Sequence, residues 1–176
     1  MTDATLHDAK NIAQALEKLA QRIVSEDAEV PALIGIHTNG VPLARRLADL
    51  IARKSGRAIE TGTLDITLYR DDLAGRSLPQ VKGSDIGFDI EGRRIVLVDD
   101  VLFTGRTVRA ALNELSDFGR PRRVQLCVLV DRGHRELPIC ADFAGMLVNT
   151  HRADTVRVEL AETGAPTDRV VIVKKA

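Results

Sequence analysis

An α/β fold, with a mostly parallel central sheet flanked by helices, is what this sequence predicts, and three observations predict it. Short apolar runs at 32–36, 94–98 and 124–130 read as strands buried on both faces. Stretches of helical periodicity alternate with them, the order that produces parallel strand pairs. Turns at 37–40, 99–107 and 131–135 each follow a strand, and ligands of such sheets bind beyond the strands' carboxyl ends.

The elements follow in chain order. Ile12, Leu16, Leu19, Ala20 and Ile23 recur at helical spacing, so a first helix is expected over about 9–25. The strand at 32–36 ends in the turn His37-Thr38-Asn39-Gly40, and Pro42 suits the start of a helix over about 41–54 that Gly56 closes. Leu64, Ile66 and Leu68 alternate with Asp65, Thr67 and Tyr69, the period of a half-exposed strand over 63–69. From 70 to 93 the pattern dissolves into charges, glycines and one proline, and a stretch of that length inside one domain reads as a lid or binding loop. The strand at 94–98 precedes a helix over about 105–118, stopped by Gly119 and Pro121. After the strand at 124–130, residues 144–148, 156–160 and 169–173 read as short strands.

Bulk properties narrow the class. At 176 residues the chain is expected to form a single domain over 1–176. With 44% hydrophobic and 28% charged residues it has an ordinary globular composition, and no apolar stretch approaches the ~18 residues of a membrane span. Cys127 and Cys140 are too few for a disulfide scaffold and lack metal-site spacing, so reduced thiols are expected. The start, Met1-Thr2-Asp3-Ala4-Thr5, lacks the basic-then-apolar pattern of a secretory signal, and the expected location is the cytoplasm. A net charge of zero argues against a generally basic nucleic-acid binder while leaving room for a local patch.

The chemistry is concentrated at 94–107. A buried strand runs into Asp99-Asp100, and five residues after Asp99 the turn Thr104-Gly105-Arg106-Thr107 opens a helix. Carboxylates that far ahead of a helix are poorly placed to cap it, whereas they suit the 2′- and 3′-hydroxyls of a ribose, directly or through a magnesium ion. Gly105 permits close backbone approach, and the amides of the turn with the hydroxyls of Thr104 and Thr107 form a nest for a phosphate. Neither GxxxxGK[ST] nor GxGxxG occurs, which disfavours a nucleotide-triphosphate loop and a dinucleotide fingerprint. Carboxylates beside an anion nest fit a phosphorylated sugar.

The stretch Val96 to Thr107 resembles the phosphoribosyl-pyrophosphate (PRPP) motif of type I phosphoribosyltransferases. Leu64 to Asp72, Gly119-Arg120-Pro121 and Val128 to Ile139 further resemble one subfamily, the bifunctional pyrimidine-operon regulators and uracil phosphoribosyltransferases known as PyrR. The resemblance implies the type I phosphoribosyltransferase fold, with a flexible loop at about 70–93 and a small hood from the C-terminal segment and parts of the N-terminus. It implies that uracil and PRPP give UMP and diphosphate with Mg2+, through Asp99, Asp100 and Arg70. Val101, Leu102, Phe103, Thr104, Gly105, Arg106 and Thr107 would bind the 5′-phosphate. His37, Thr38, Asn39 and Gly40 match the pyrophosphate loop, where the family commonly carries basic residues at the positions of His37 and Asn39. Tyr69 and Arg70 begin the flexible loop, Arg132 lies in the hood segment that receives the base, and Arg135 is a candidate RNA contact.

The family's second activity is UMP-favoured binding of pyr leader mRNA. Here Glu17, Gln21, Glu26, Cys140 and Met146 stand where the family often carries polar or basic residues, which favours the enzyme over RNA attenuation. Two other readings remain open: a nucleotide-sensing RNA-binding regulator with negligible catalysis, and a purine-type phosphoribosyltransferase, since the PRPP motif is shared. A homodimer or higher oligomer is the family's habit, and no membrane partner is expected.

Overall fold

The structure is a computed structural model that describes residues 2–69 and 82–174. The chain runs β1 (Thr2–His7), α1 (Ala9–Glu26), β2 (Ala32–Ile36), α2 (Gly40–Ser55), β3 (Thr61–Leu64), β4 (Arg94–Leu102), α3 (Arg106–Leu115), β5 (Arg123–Asp131), β6 (Phe143–Leu147), β7 (Thr155–Glu159) and β8 (Arg169–Lys174). Strands in the order β3-β2-β4-β5-β6 form a wholly parallel sheet, as the alternation of strands and helices requires. A separate antiparallel sheet, β1-β8-β7, joins the two ends of the chain. No helix among the described residues is long and apolar enough to cross a membrane.

The parallel sheet is covered on both faces. On one, Ile12, Leu16 and Leu19 of α1 and Leu43 and Leu47 of α2 share a core with Val96, Val98 and Leu129. On the other, Val108, Ala111 and Leu115 of α3 pack with Ile34, Leu97 and Val128. Each such side chain, fully buried, contributes roughly 1.5–3 kcal/mol. A capping box starts α1: Asp8 accepts from the Asn11 amide at 2.8 Å, and the Asn11 side chain accepts from the Asp8 amide at 3.3 Å. At the amino end of the sheet Arg94 is 0% exposed, and its guanidinium donates to Ile23 O, Glu29 O and Gln125 Oε1. A buried cation needs such partners. The sheet is therefore tied at its amino end, and the carboxyl end is left for chemistry.

Four expectations change. The strand foreseen over 63–69 stops at Leu64, and Ile66–Tyr69 is a 3-10 turn, because Asp65 faces inward as a hydrogen-bond acceptor instead of outward. The strand foreseen at 94–98 runs on to Leu102, still paired with β5, so Asp99 and Asp100 lie inside β4. The helix foreseen to 118 ends at Leu115 and closes in tight turns at Asp117 and Phe118. Strand β1 was not foreseen: Thr-Asp-Ala-Thr-Leu-His has no apolar run, and its partner β8 lies at the far end of the chain. Of the stretch 70–93, residues 70–81 lie outside the described residues, and the remainder makes one bridge, Thr63 to Asp85.

One contact sets the distance between α2 and β4. A Cβ on Gly40 would lie 2.3 Å from Val98 O, and one on Gly35 would lie 2.5 Å from Gly40 O. The turn 37–40 is thereby drawn against β4 just before Asp99. Gly40→Ala is expected to destabilise the protein by about 1–3 kcal/mol, the usual cost of overpacking, in a urea titration. An unchanged unfolding midpoint would contradict this packing.

Candidate active site

The two aspartates occupy unequal environments. Asp99 is buried, and its Oδ1 accepts from the Asp100 amide at 2.9 Å. Burial first, and then the charge of Asp100, push the Asp99 carboxyl well above the usual aspartate range. Asp100 is half-buried. Its Oδ1 accepts from the Val101 amide at 2.8 Å, and its Oδ2 accepts from Asn39 Nδ2 at 2.8 Å. The second N–H of the Asn39 amide goes to Val158 O of β7 at 2.9 Å. Asn39 therefore links the acid pair to the antiparallel sheet, a role that no local pattern around residue 39 reveals.

The turn after β4 leads directly into α3. Gly105 has φ +94° and precedes α3 with no capping side chain from that position. Thr104 Oγ1 accepts from the Arg106 amide at 3.4 Å, while Thr104 O accepts from the amides of Glu136 and Leu137 at 3.0 and 3.2 Å. Segment 136–139 backs the turn, since a Cβ on Gly105 would meet Ile139 and Leu137 at 3.3–3.4 Å. The Arg106 side chain pairs with Glu136 at 2.9 Å.

Two arginines are not placed as the sequence led us to expect. Arg132 is buried, and its guanidinium donates to Asp154 O at 2.7 Å, His151 O at 2.8 Å and Thr150 Oγ1 at 3.3 Å, while lying 4.1 Å over the Phe103 ring. With its donors committed to inward-facing carbonyls, it can act on a base only through the loop 150–154 that it holds. Arg135 donates to Phe103 O at 2.8 Å and Ile139 O at 2.9 Å and pairs with Asp131, so it braces the turn after β4.

On the other side of the acid pair, the His37–Thr38 peptide bond is cis and the His37 amide donates to Leu64 O at 2.9 Å. Burial, and then nearby Lys82, push the His37 imidazole down, which favours its neutral form. Asp65 was not singled out as a site residue, yet it is buried and accepts from the Thr67 amide at 3.0 Å, the Gly83 amide at 3.1 Å and the Lys82 amide. Burial alone would raise its carboxyl, but the bonds from Thr67, Lys82 and Gly83 outweigh it and hold the group below its usual value. The Tyr69 hydroxyl donates to Asp117, in the turn after α3, and Ser84 Oγ to Glu114 of α3. Arg70 lies outside the described residues. Among the described residues, no cluster of three or more His, Cys, Asp or Glu is gathered to hold a metal ion.

Comparison with known proteins bears on this geometry. The family model described as "Phosphoribosyl transferase domain" matches residues 3–163. The chain is 51% identical over 177 residues to "Bifunctional protein PyrR" of Herpetosiphon aurantiacus, covering 99% of each chain. It is 54% identical over 170 residues to the protein of that name from Thermus thermophilus, covering 95% of this chain and 93% of the relative. A solved hypoxanthine phosphoribosyltransferase of Trypanosoma cruzi superposes with TM-score 0.73 at 17% identity, over 97% of this chain and 91% of that one, a likeness of fold alone.

The environment of Asp99 has a measurable consequence. A carboxyl raised in the folded state supports folding below its unfolded value and loses that support as pH rises through the folded value. Asp99→Asn is thus expected to raise the thermal midpoint at pH 7 by about 2–4 °C, the shift that 1 kcal/mol produces in a domain of this size. It should also flatten the decline of stability above the ordinary aspartate value of 3.8. An unchanged or lower midpoint with the same pH dependence would contradict the assignment.

Proposed function

This chain belongs to the PyrR branch of the phosphoribosyltransferase family, and we propose on that premise that it makes UMP and diphosphate from uracil and PRPP. The 5′-phosphate of PRPP sits on the amides and hydroxyls of the turn Val101 to Thr107, at the uncapped start of α3. The ribose hydroxyls lie on the acid pair, with Asp100 as the direct acceptor and Asp99 beneath it. The turn His37-Thr38-Asn39-Gly40 takes the diphosphate, to which the family resemblance also assigns Arg70, next to Tyr69. The antiparallel sheet, with loop 150–154 held by Arg132, serves as the hood over the base.

In the reaction the bond between C1 of the ribose and the diphosphate oxygen breaks, and its electron pair leaves with diphosphate. N1 of uracil supplies the pair for the new C–N bond, and its proton passes to solvent. Positive charge develops at C1 in between, close to the carboxylate of Asp100, which stabilises it more than it stabilises the neutral ground state. Asp100, the less buried carboxylate of the pair, would be the residue to hold a magnesium ion beside the departing diphosphate. When bound it neutralises the leaving group's charge. This chain's residues therefore position and polarise, with no covalent nucleophile.

The observation that carries this reading is the Asn39–Asp100 bond of 2.8 Å, which orients one carboxylate between the turn 37–40 and the open start of α3. Asp100→Asn is expected to lower kcat by about 10²–10³-fold, the scale for losing one transition-state contact, while UMP affinity changes much less. Equal losses in both would overturn the assignment. Among free bases, uracil should be turned over and guanine and hypoxanthine should not; the opposite preference would favour the purine-type reading.

A regulatory role accompanies the enzyme, because the relatives at 51–54% identity carry the name bifunctional. Arg123 pairs with Glu26 at 2.7 Å and Arg122 with Glu29, so neither offers its full charge to a phosphate backbone. A gel-shift titration with pyr leader RNA is expected to show retardation with UMP and none without it. Retardation independent of UMP, or none at all, would contradict the regulatory role.

A further inference from the structure

The turn 37–40 that faces the departing diphosphate carries little charge of its own: His37 is held toward its neutral form, and Asn39 is spent on Asp100 and Val158. Yet a dianion or trianion leaves on this side. Directly beside the turn lies a cavity of about 400 Å³, walled by His37, Thr38, Arg45, Lys82 and Thr163. That volume is within the range of small-ligand sites, about 300–1,000 Å³.

The cations around this cavity are not alike. Arg46 is doubly committed, bonded to Glu162 through Nε at 2.7 Å and to Asp168 through Nη1 at 2.5 Å. Arg45 and Lys82 have no such commitment: both are exposed, and no carboxylate among the described residues forms an ion pair with either. Asp49 also lines the cavity, one turn after Arg45, and does not close on it. Lys82 is held at the rim from its backbone, whose amide, with that of Gly83, donates to the buried Asp65. Both cations act on the His37 imidazole through their charge, in keeping with their place beside it in the wall of this cavity.

We infer that Arg45 on α2 and Lys82 beside Asp65 supply the positive charge for the diphosphate of PRPP, replacing charge that the turn 37–40 lacks. Two cations lining one cavity, neither paired with a carboxylate among the described residues, would meet the terminal phosphate through charge-assisted bonds as the C1–O bond lengthens. Asp65 is a positioning residue: it fixes the main chain that carries Lys82. The inference rests on the proposed transferase reaction, and it concerns which residues bind the leaving group.

The test compares Arg45→Gln, Lys82→Gln and the double variant with Arg53→Gln, a change on the same helix away from this cavity. Steady-state kinetics with whichever base is turned over gives the KM for PRPP, and calorimetry gives the affinities for magnesium diphosphate and for UMP. Each single change at Arg45 or Lys82 should weaken PRPP and diphosphate by about tenfold, the scale of one bond to a charged group, and the double change more. UMP affinity should stay within about twofold, since UMP has no diphosphate, and Arg53→Gln should leave all three unaltered. Unaltered diphosphate affinity in both single variants, or an equal loss of UMP affinity, would overturn the inference. Absence of any turnover by the unmodified protein would instead overturn the transferase reading, while diphosphate titration would still decide the role of Arg45 and Lys82.

Discussion

The amide of Asn39 has two N–H bonds and gives each to a different sheet, one to Asp100 in β4 and the other to Val158 O in β7. It orients the exposed carboxylate, fixes the turn 37–40 and sets where the antiparallel sheet stands over the parallel one. The close approach of Gly40 to Val98 makes the bond possible, because it brings the turn to the strand at the level of the acid pair. The Arg46 bonds to Glu162 and Asp168 tie α2, two turns further along, to the connection between β7 and β8.

Electrostatics then divides the labour within the pair. Two adjacent carboxylates near a buried strand cannot both be easily ionised. Burial separates the two: Asp99 is covered and its carboxyl lies well above the usual aspartate range, whereas Asp100 keeps access to solvent and to hydrogen-bond donors. A site of this kind holds a destabilising group in place for function, and the surrounding core, with Arg94 anchoring the opposite end of β4, supports it. The arginines near the site do different work: Arg132 and Arg135 spend their donors on carbonyls of the protein, so they shape loops and leave recognition to backbone amides.

Much of this was legible in the residues. The strands of the parallel sheet announce themselves as apolar runs, and the acid pair followed by Thr104-Gly105-Arg106-Thr107 marks the ligand end of the sheet. What stayed hidden has a common cause, namely partners far away in the chain. Asp65 looks like the outward residue of an alternating strand, and only the amides of Lys82 and Gly83 turn it inward. Strand β1 is polar and is made a strand by β8. The resemblance offers Arg132 to the base and Arg135 to RNA, and nothing local reveals the carbonyls that they satisfy. The end of β4 was placed too early because Asp99 and Asp100 are poor strand residues by propensity, and tertiary pairing with β5 overrides that preference.

The central claim is that a ribose sits on Asp100 while its phosphate lies at the start of α3. A crystal structure of the protein with UMP and magnesium tests it most directly. The account predicts ribose hydroxyl oxygens about 2.6–3.0 Å from the Asp100 carboxylate and phosphate oxygens about 2.7–3.2 Å from the amides of the 104–107 turn. UMP seated elsewhere, with the acid pair still facing only Asn39 and its own backbone, would contradict it.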